Sequence, residues 1–339
     1  MKIIAHIGLS KNFSTSIQRS VFIKNPEILY LGVGHNKNNL DYISYKIENL
    51  FEYHLRYTKK IIFENELKKH RELIKKYILK AKKNGKEALV FSVDTLSVKL
   101  TPYDIDPFEK YERLRKLFGP DLKIILIIKN QIDLLKSFYR ETVKLGNYEK
   151  YNDYISRILK LQKSFYLNDF FYDHQYLSLT HHFKKRNIKI LQAEDYLQYK
   201  KTDTLIDDIY KFLKLNKHNS KLGHYNKSLG SEILEKKRIL NKKINHDISN
   251  FTFDIIESHR LKNFFSKELD LPHLKKDPFK DVKIKNKMIS SIKSNKNLKI
   301  RLSYNLNKNI YNKLIKLIKK SNLNFQKLSN LKLKKNYLK

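Results

Sequence analysis

Cysteine and tryptophan are absent from this 339-residue chain, and glycine (8), proline (6) and methionine (2) are scarce. Without cysteine there is no disulfide and no thiolate metal site, which fits a reducing compartment. No apolar run approaches the roughly 18 residues that a membrane span requires. Met1 to Gly8 is too short for the core of a secretory leader, so a soluble, cytoplasmic chain without a transmembrane segment is expected. The shortage of glycine and proline leaves no linker, and no internal repeat is visible. One compact domain is therefore the simplest partition, with a core over about 1–231 and a helical, lysine-rich part over about 232–339. A boundary near Asp270 to Asp281, where Pro272 and Pro278 interrupt the pattern, is the alternative. The length is enough to bury a substantial core.

Acidic residues are also few. The chain carries 34 of them against 71 lysines and arginines, a formal net charge of +37. Such a balance invites a nucleic-acid reading, since basic surfaces bind phosphate backbones. The excess is dispersed along the whole chain, however, and accompanies high lysine, asparagine and isoleucine, as an AT-rich genome would produce. Nucleic acid is not the expected partner. A basic cleft would still steer a small polyanion inward.

Apolar runs alternate with helical patterns, which predicts an α/β fold with a mostly parallel central sheet. The expected strands are Lys2–Ile7, Ile28–Leu31, Ala88–Ser92, Lys123–Ile128 and Ile188–Gln192. The expected helices lie near Ser14–Ile23, Asp41–Tyr57, Asn65–Lys83, Pro107–Phe118, Gln131–Leu145, Tyr151–Phe165, Tyr176–Arg186 and Thr202–Leu213. Further on, Ile310 to Asn322 places an apolar stripe at Ile310, Leu314, Leu317 and Ile318. Sheets of this kind bind ligands beyond the carboxyl ends of their strands.

Two segments sit at such ends. HIGLSKNFSTSIQ, His6 to Gln18, reads as strand, tight loop and helix, with Gly8 opening the turn and Lys11 followed by Ser14, Thr15 and Ser16. Backbone N–H groups at a helix start, the macrodipole, a lysine and hydroxyl donors together bind anions. Thr15 and Gln18 have capping-box spacing, which supports a helix starting near Ser14. A nucleotide triphosphatase loop needs a magnesium-binding hydroxyl directly after its lysine, and Asn12 stands there instead. The second segment, Lys123 to Gly146, is a buried strand followed by a helix with Ile132, Leu135, Phe138, Tyr139 and Val143 at helical spacing. Asn130 is its expected N-cap, with Asp133 three residues on.

The first segment resembles the 5′-phosphosulfate loop of the sulfotransferases, close to GLPKTGTTSLQ: Gly8, Leu9, Lys11, Thr15, Ser16 and Gln18 match, Ser14 and Ile17 are conservative, and Phe13 replaces a glycine or alanine. The second is similar to the 3′-phosphate motif of that family, with Lys129 in place of the usual arginine and Ser137 eight positions later. AEDYL at Ala193 to Leu197, KFLKL at Lys211 to Leu215 and NKS at Asn226 to Ser228 resemble the YEDL, FLGL and asparagine-x-serine segments in the family's order. The resemblance spans most of Met1 to about Ser231. Bacterial members often end in a similar helix and a segment closing on tryptophan, where this chain has KNYLK.

The resemblance implies a P-loop-type three-layer sandwich with a helical C-terminal part, and a sulfotransferase of bacterial, carbohydrate type. The donor it implies is phosphoadenosine phosphosulfate (PAPS), leaving adenosine 3′,5′-bisphosphate, and no metal takes part. Lys11, Asn12, Phe13, Ser14, Thr15 and Ser16 would hold the phosphosulfate, and Lys129 and Ser137 the 3′-phosphate. The acceptor would be a hydroxyl, or an amine, of a glycan, glycolipid or similar molecule. Lys11 would neutralise charge on the departing phosphate oxygen.

FSVDTLS, Phe91 to Ser97, looks like the SSE-L or SDE-L segment of these enzymes, with Asp94 at the place of their glutamate. A carboxylate at a strand end can take the acceptor's proton; the competing reading is that Asp94 caps the following turn. His35, after the LGVG turn, is the rival base, while His6 reads as a buried core residue. A catalytically degenerate member of the fold and a basic nucleic-acid-binding protein remain the alternatives to an active enzyme.

Overall fold

The computed structural model describes residues 1–9, 12–32, 45–99, 104–144, 147–162, 167–197, 202–218, 222–223, 229–244 and 301–338. Five strands, β1 (Lys2–His6), β2 (Ile28–Tyr30), β3 (Ala88–Ser92), β4 (Lys123–Ile128) and β5 (Ile188–Gln192), form one parallel sheet in the order β2-β3-β1-β4-β5. β3 is buried throughout and β4 at every position but Lys123. Continuous apolar runs of this kind suit strands covered on both faces. The fold class expected from the sequence is the one found.

Helices cover both faces. On one face Ile4, Val90, Ile125 and Ile127 pack with Ile17 and Val21, and with Ile206 and Ile209 of α9 (Thr202–Leu213). Ile17 ends α1 (Ser14–Ile17), which widens into a π turn at Gln18–Phe22. Side chains alternate along a strand, so Phe91 points the other way. There it stacks on Phe51 and Phe118 with ring centroids 4.8 and 4.9 Å apart. Phe51 lies in the π turn Leu50–His54 that continues α2 (Tyr45–Asn49), and Phe118 ends α4 (Pro107–Phe118).

Between them, α3 runs over Lys60–Lys83, five residues earlier than the expected start at Asn65. Ile61 and Ile62 in its first turn are exposed and break the apolar periodicity. α5 covers Gln131–Lys144, and α6 stops at Lys160; residues 163–165 of the longer helix expected there lie outside the described residues. α7 is Tyr172–His182, shifted by one turn from Tyr176–Arg186, and a separate 3-10 turn takes Lys185–Asn187. α8 (Ala193–Leu197), α9 and α10 (Ser231–Ile244) follow, and α11 extends over Lys308–Ser329, beyond the apolar stripe that announced it.

The chain divides into two compact units. The first, Met1–Leu134, Lys163–Asn226 and Ile315–Lys339, contains the whole sheet; the second comprises Leu135–Gln162 and Lys227–Leu314. In the second unit Tyr139 packs on Tyr151 and Tyr154 at 5.1 and 5.2 Å between ring centroids. Asn241 Nδ2 donates to the carbonyls of Val143 and Asn147. Residues 270–281 lie outside the described residues. Among the described residues no helix is long and apolar enough to cross a membrane.

Candidate functional site

β1 occupies the centre of the sheet, with β3 on one side and β4 on the other. The chain leaves β1 toward β2 and β3 but leaves β4 toward β5, so the loops after these neighbouring strands diverge. That divergence opens a crevice at their carboxyl ends, the place where open α/β sheets take ligands. Two bonds staple the loop after β1 to β4: Ile7 N–H donates to Ile125 O at 3.1 Å and Asn12 Nδ2 to Ile127 O at 2.9 Å.

Asn12 is fully buried in this staple, and Phe13 follows it in the left-handed region at φ 62°, ψ 6°. Phe13 is the N-cap of α1, and no side chain caps the helix. The capping box suggested by Thr15 and Gln18 is therefore not formed. Gln18 Nε2 donates to Ser92 Oγ at 2.8 Å instead. Ile17 N–H makes the first intrahelical bond, to Phe13 O at 3.0 Å. The N–H groups of Ser14, Thr15 and Ser16 thus have no acceptor within the helix. Ser14 Oγ is buried without a hydrogen-bond partner, and Ser16 is buried beside it in sequence. Lys11 lies outside the described residues.

Behind the loop sits a buried polar cluster. His6, paired in register with Ser92, brings Nδ1 to 2.7 Å from Ser92 Oγ, while its Nε2 is buried with no partner. Burial lowers the His6 pKa to about 4, so the ring is neutral at physiological pH. His6 is the buried residue expected, but only one of its nitrogens is satisfied. Burial pushes the Tyr30 phenol well up, and the charge of Asp94 adds to the rise. Gly32 has to be glycine here, since a Cβ would fall 1.6 Å from the Tyr30 ring.

Asp94 opens the 3-10 turn Asp94–Ser97 just past β3 and is half-buried.

At the end of β4, Lys129 N–H donates to Tyr172 Oη at 3.0 Å and Lys129 O accepts from the same hydroxyl. Asn130 caps α5 as expected, its Oδ1 accepting from the N–H groups of Ile132 (3.0 Å) and Asp133 (3.3 Å). Glu194 Oε1 accepts from Asn130 N–H at 2.6 Å, and Glu194 also binds the Tyr337 hydroxyl. The loop is thereby fixed by three side chains, Tyr172, Glu194 and Tyr337. The Lys129 ammonium makes no ion pair among the described residues. Ser137 stands two turns into α5 and falls in the second unit.

The first unit thus gathers Asn12, Phe13, Ser14, Thr15, Ser16, Asp94 and Lys129 around the carboxyl ends of β1, β3 and β4. His35, Asn226 and Ser228 lie outside the described residues. Tyr172, Glu194 and Tyr337 escaped the sequence reading. Only Glu194 carried a signal, through the AEDYL segment.

No family model matches this chain. No curated protein matches it in sequence either. Among solved structures, a sulfotransferase from Alicyclobacillus acidocaldarius shares 13% identity at a TM-score of 0.45, over 74% of this chain and 98% of that one. At that score the likeness carries no argument, and the fold rests on the strand order described above.

Proposed function

We propose that this chain is a sulfotransferase that moves a sulfuryl group from PAPS to a hydroxyl or amine of an acceptor, with a glycan or glycolipid as the acceptor class. The observation that carries the reading is the uncapped start of α1, whose buried Ser14 hydroxyl has no partner among the described residues, one strand away from Lys129, which makes no ion pair among them, at the crevice between β1 and β4. A buried hydroxyl without a partner costs free energy unless a ligand satisfies it. Ser14 and the N–H groups beside it fit a sulfate or phosphate oxygen.

PAPS supplies the sulfuryl group and a 5′-phosphate as leaving group. Ser14, Thr15, Ser16 and the N–H groups of the loop hold the phosphosulfate, and Lys129 holds the 3′-phosphate. Asp94 takes the proton from the acceptor as its oxygen attacks sulfur in line. As the new S–O bond forms, the bond from sulfur to the phosphate oxygen breaks, and the electron pair stays on the phosphate. Lys11 and the loop N–H groups balance that charge, which is electrostatic preorganisation.

Calorimetric titration with adenosine 3′,5′-bisphosphate, AMP and magnesium ATP tests the donor site. Hydrogen bonds to charged groups contribute about 1.5–3 kcal/mol each, so the bisphosphate should bind about 10-fold or more tighter than AMP. Magnesium ATP should compete poorly. Equal affinities for the bisphosphate and AMP would remove the 3′-phosphate site and with it this reading.

A further inference from the structure

A second group of functional side chains lies in the first unit, on elements that the donor reading does not use. His54 ends the π turn Leu50–His54, and Glu66 and His70 stand one turn apart on α3. Their donor atoms converge. His54 Nδ1 is 3.5 Å and His70 Nε2 3.7 Å from the same oxygen, Glu66 Oε2, and one ligand atom from each residue lies within 4.8 Å of the others.

These separations decide what the group is. A charge-assisted hydrogen bond between imidazole and carboxylate closes to about 2.7–2.9 Å. Ligands bound to one tetrahedral zinc ion at 2.0–2.1 Å stand about 3.3–3.4 Å from each other. The observed 3.5 and 3.7 Å are too long for the first and close to the second.

The hydrogen bonding agrees. His70 Nε2 is buried without a hydrogen-bond partner. Two imidazoles and one carboxylate form a donor set of the kind that zinc-class ions take. A supporting residue is in place as well. The Asn49 amide lies 3.4 Å from His54 Nε2, and its Oδ1 has no other partner. With Oδ1 turned to accept Nε2–H, the lone pair of Nδ1 faces Glu66, the orienting arrangement typical of metal-bound histidines.

Two cations stand near. Lys69 Nζ lies 4.0 Å from Glu66 Oε1 on a largely exposed side chain that can swing into solvent. Arg113 donates to the His54 carbonyl, but it is also paired with Glu109 at 2.6 Å. The imidazoles are only 14% and 10% exposed, whereas Glu66 is 33% exposed and gives access from solvent.

We propose that His54, Glu66 and His70 form a three-ligand site for a divalent transition-metal ion of the zinc class, with water in the fourth position. The ion bridges the π turn after α2 to α3 and fastens two helical segments that no disulfide can join. Glu-x-x-x-His at 66–70 was the sequence signal. It stayed mute because the third ligand lies twelve residues upstream on another element.

The test is zinc titration of untagged, chelator-treated full-length protein by calorimetry, with cobalt as the spectroscopic probe and melting followed in parallel. One equivalent should bind per chain, cobalt should give the visible bands of a tetrahedral site, and zinc should raise the melting temperature. Glu66→Gln and His70→Ala should each weaken binding at least 10-fold and abolish the thermal shift. Because Glu66 is partly exposed, Glu66→Gln decides the matter even if His70→Ala fails to fold. His181→Ala, at the adjacent pair of histidines on α7, should bind normally. No stoichiometric binding at micromolar zinc, unchanged binding in Glu66→Gln, or loss of the equivalent in His181→Ala would each overturn the proposal.

Discussion

A left-handed backbone favours glycine, and this glycine-poor chain puts other residues there. Phe13, at φ 62°, precedes α1, and Lys214, at φ 53°, follows α9. Both stand where the sulfotransferase segments resembled by this sequence have a small residue, glycine in the FLGL case. A non-glycine residue pays about 1–2 kcal/mol for that conformation. Phe13 recovers part of the cost by packing its ring against the apolar cluster under the sheet. Lys214 is exposed, and its charge depresses the pKa of Lys123 after burial has done so. Lys214→Gly should therefore stabilise the protein by about 0.5–1 kcal/mol, net of the greater freedom that glycine gives the unfolded chain. A urea midpoint that stays put or falls would refute this. Asp94 poses a question of activity rather than stability. Asp94→Asn should keep the affinity for adenosine 3′,5′-bisphosphate and the melting temperature while lowering turnover by roughly 10²- to 10⁴-fold. A turn-capping role would reverse that pattern, costing about 1 kcal/mol of stability with the rate per folded molecule unchanged.

At the scale of elements, the short 3-10 turn Asn168–Phe170 carries a pH dependence. Asp169 Oδ2 accepts from Lys99 N–H at 2.6 Å. Burial nonetheless raises the Asp169 pKa from 3.8 to about 7, against the opposing pull of that hydrogen bond and of Lys110. A carboxyl group whose folded pKa exceeds its unfolded value stabilises the fold fully below the unfolded pKa. That contribution is lost as pH rises through the folded one. Wild type should lose up to about 4 kcal/mol between pH 4 and 8 from this group, at 1.36 kcal/mol per pKa unit. Asp169→Asn keeps an acceptor oxygen for Lys99 and should flatten that part of the profile. Parallel profiles for the two proteins in chemical denaturation would place the group's charge elsewhere. The same scale shows what the sequence could reveal. All five strands and most helices were legible because buried strands are unbroken apolar runs and α4, α5 and α9 keep a periodic apolar face. α11 was cut short at Asn322 because its docking face turns polar there. Gln131 and Asn322, both fully buried, exchange hydrogen bonds of 2.6 and 3.1 Å, and Ser321 Oγ donates to Asp173 Oδ1 at 2.5 Å. Such pairs join distant parts of the chain and leave no periodic trace.

For the whole molecule, the excess of 71 basic over 34 acidic residues gives a field that draws in any polyanion, while the specific contacts are few and local. The loop motifs were legible because glycine, hydroxyl and lysine residues fall at fixed short spacing. Tyr172, Glu194 and Tyr337, which hold the Lys129 loop in place, were not, because they reach it only through the tertiary fold. Those late partners have a consequence for biosynthesis. β1 is made first yet lies at the centre of the sheet, where it pairs only with β3 and β4. The loop after β4 then waits for Asn336, whose carbonyl accepts from Asn130 Nδ2 across 206 residues. At 5–20 residues per second a ribosome takes about 10–40 s to cover that distance. Throughout that interval the crevice lacks its last supports, so a nascent chain stalled short of Asn336 would present a formed sheet with an unfinished crevice.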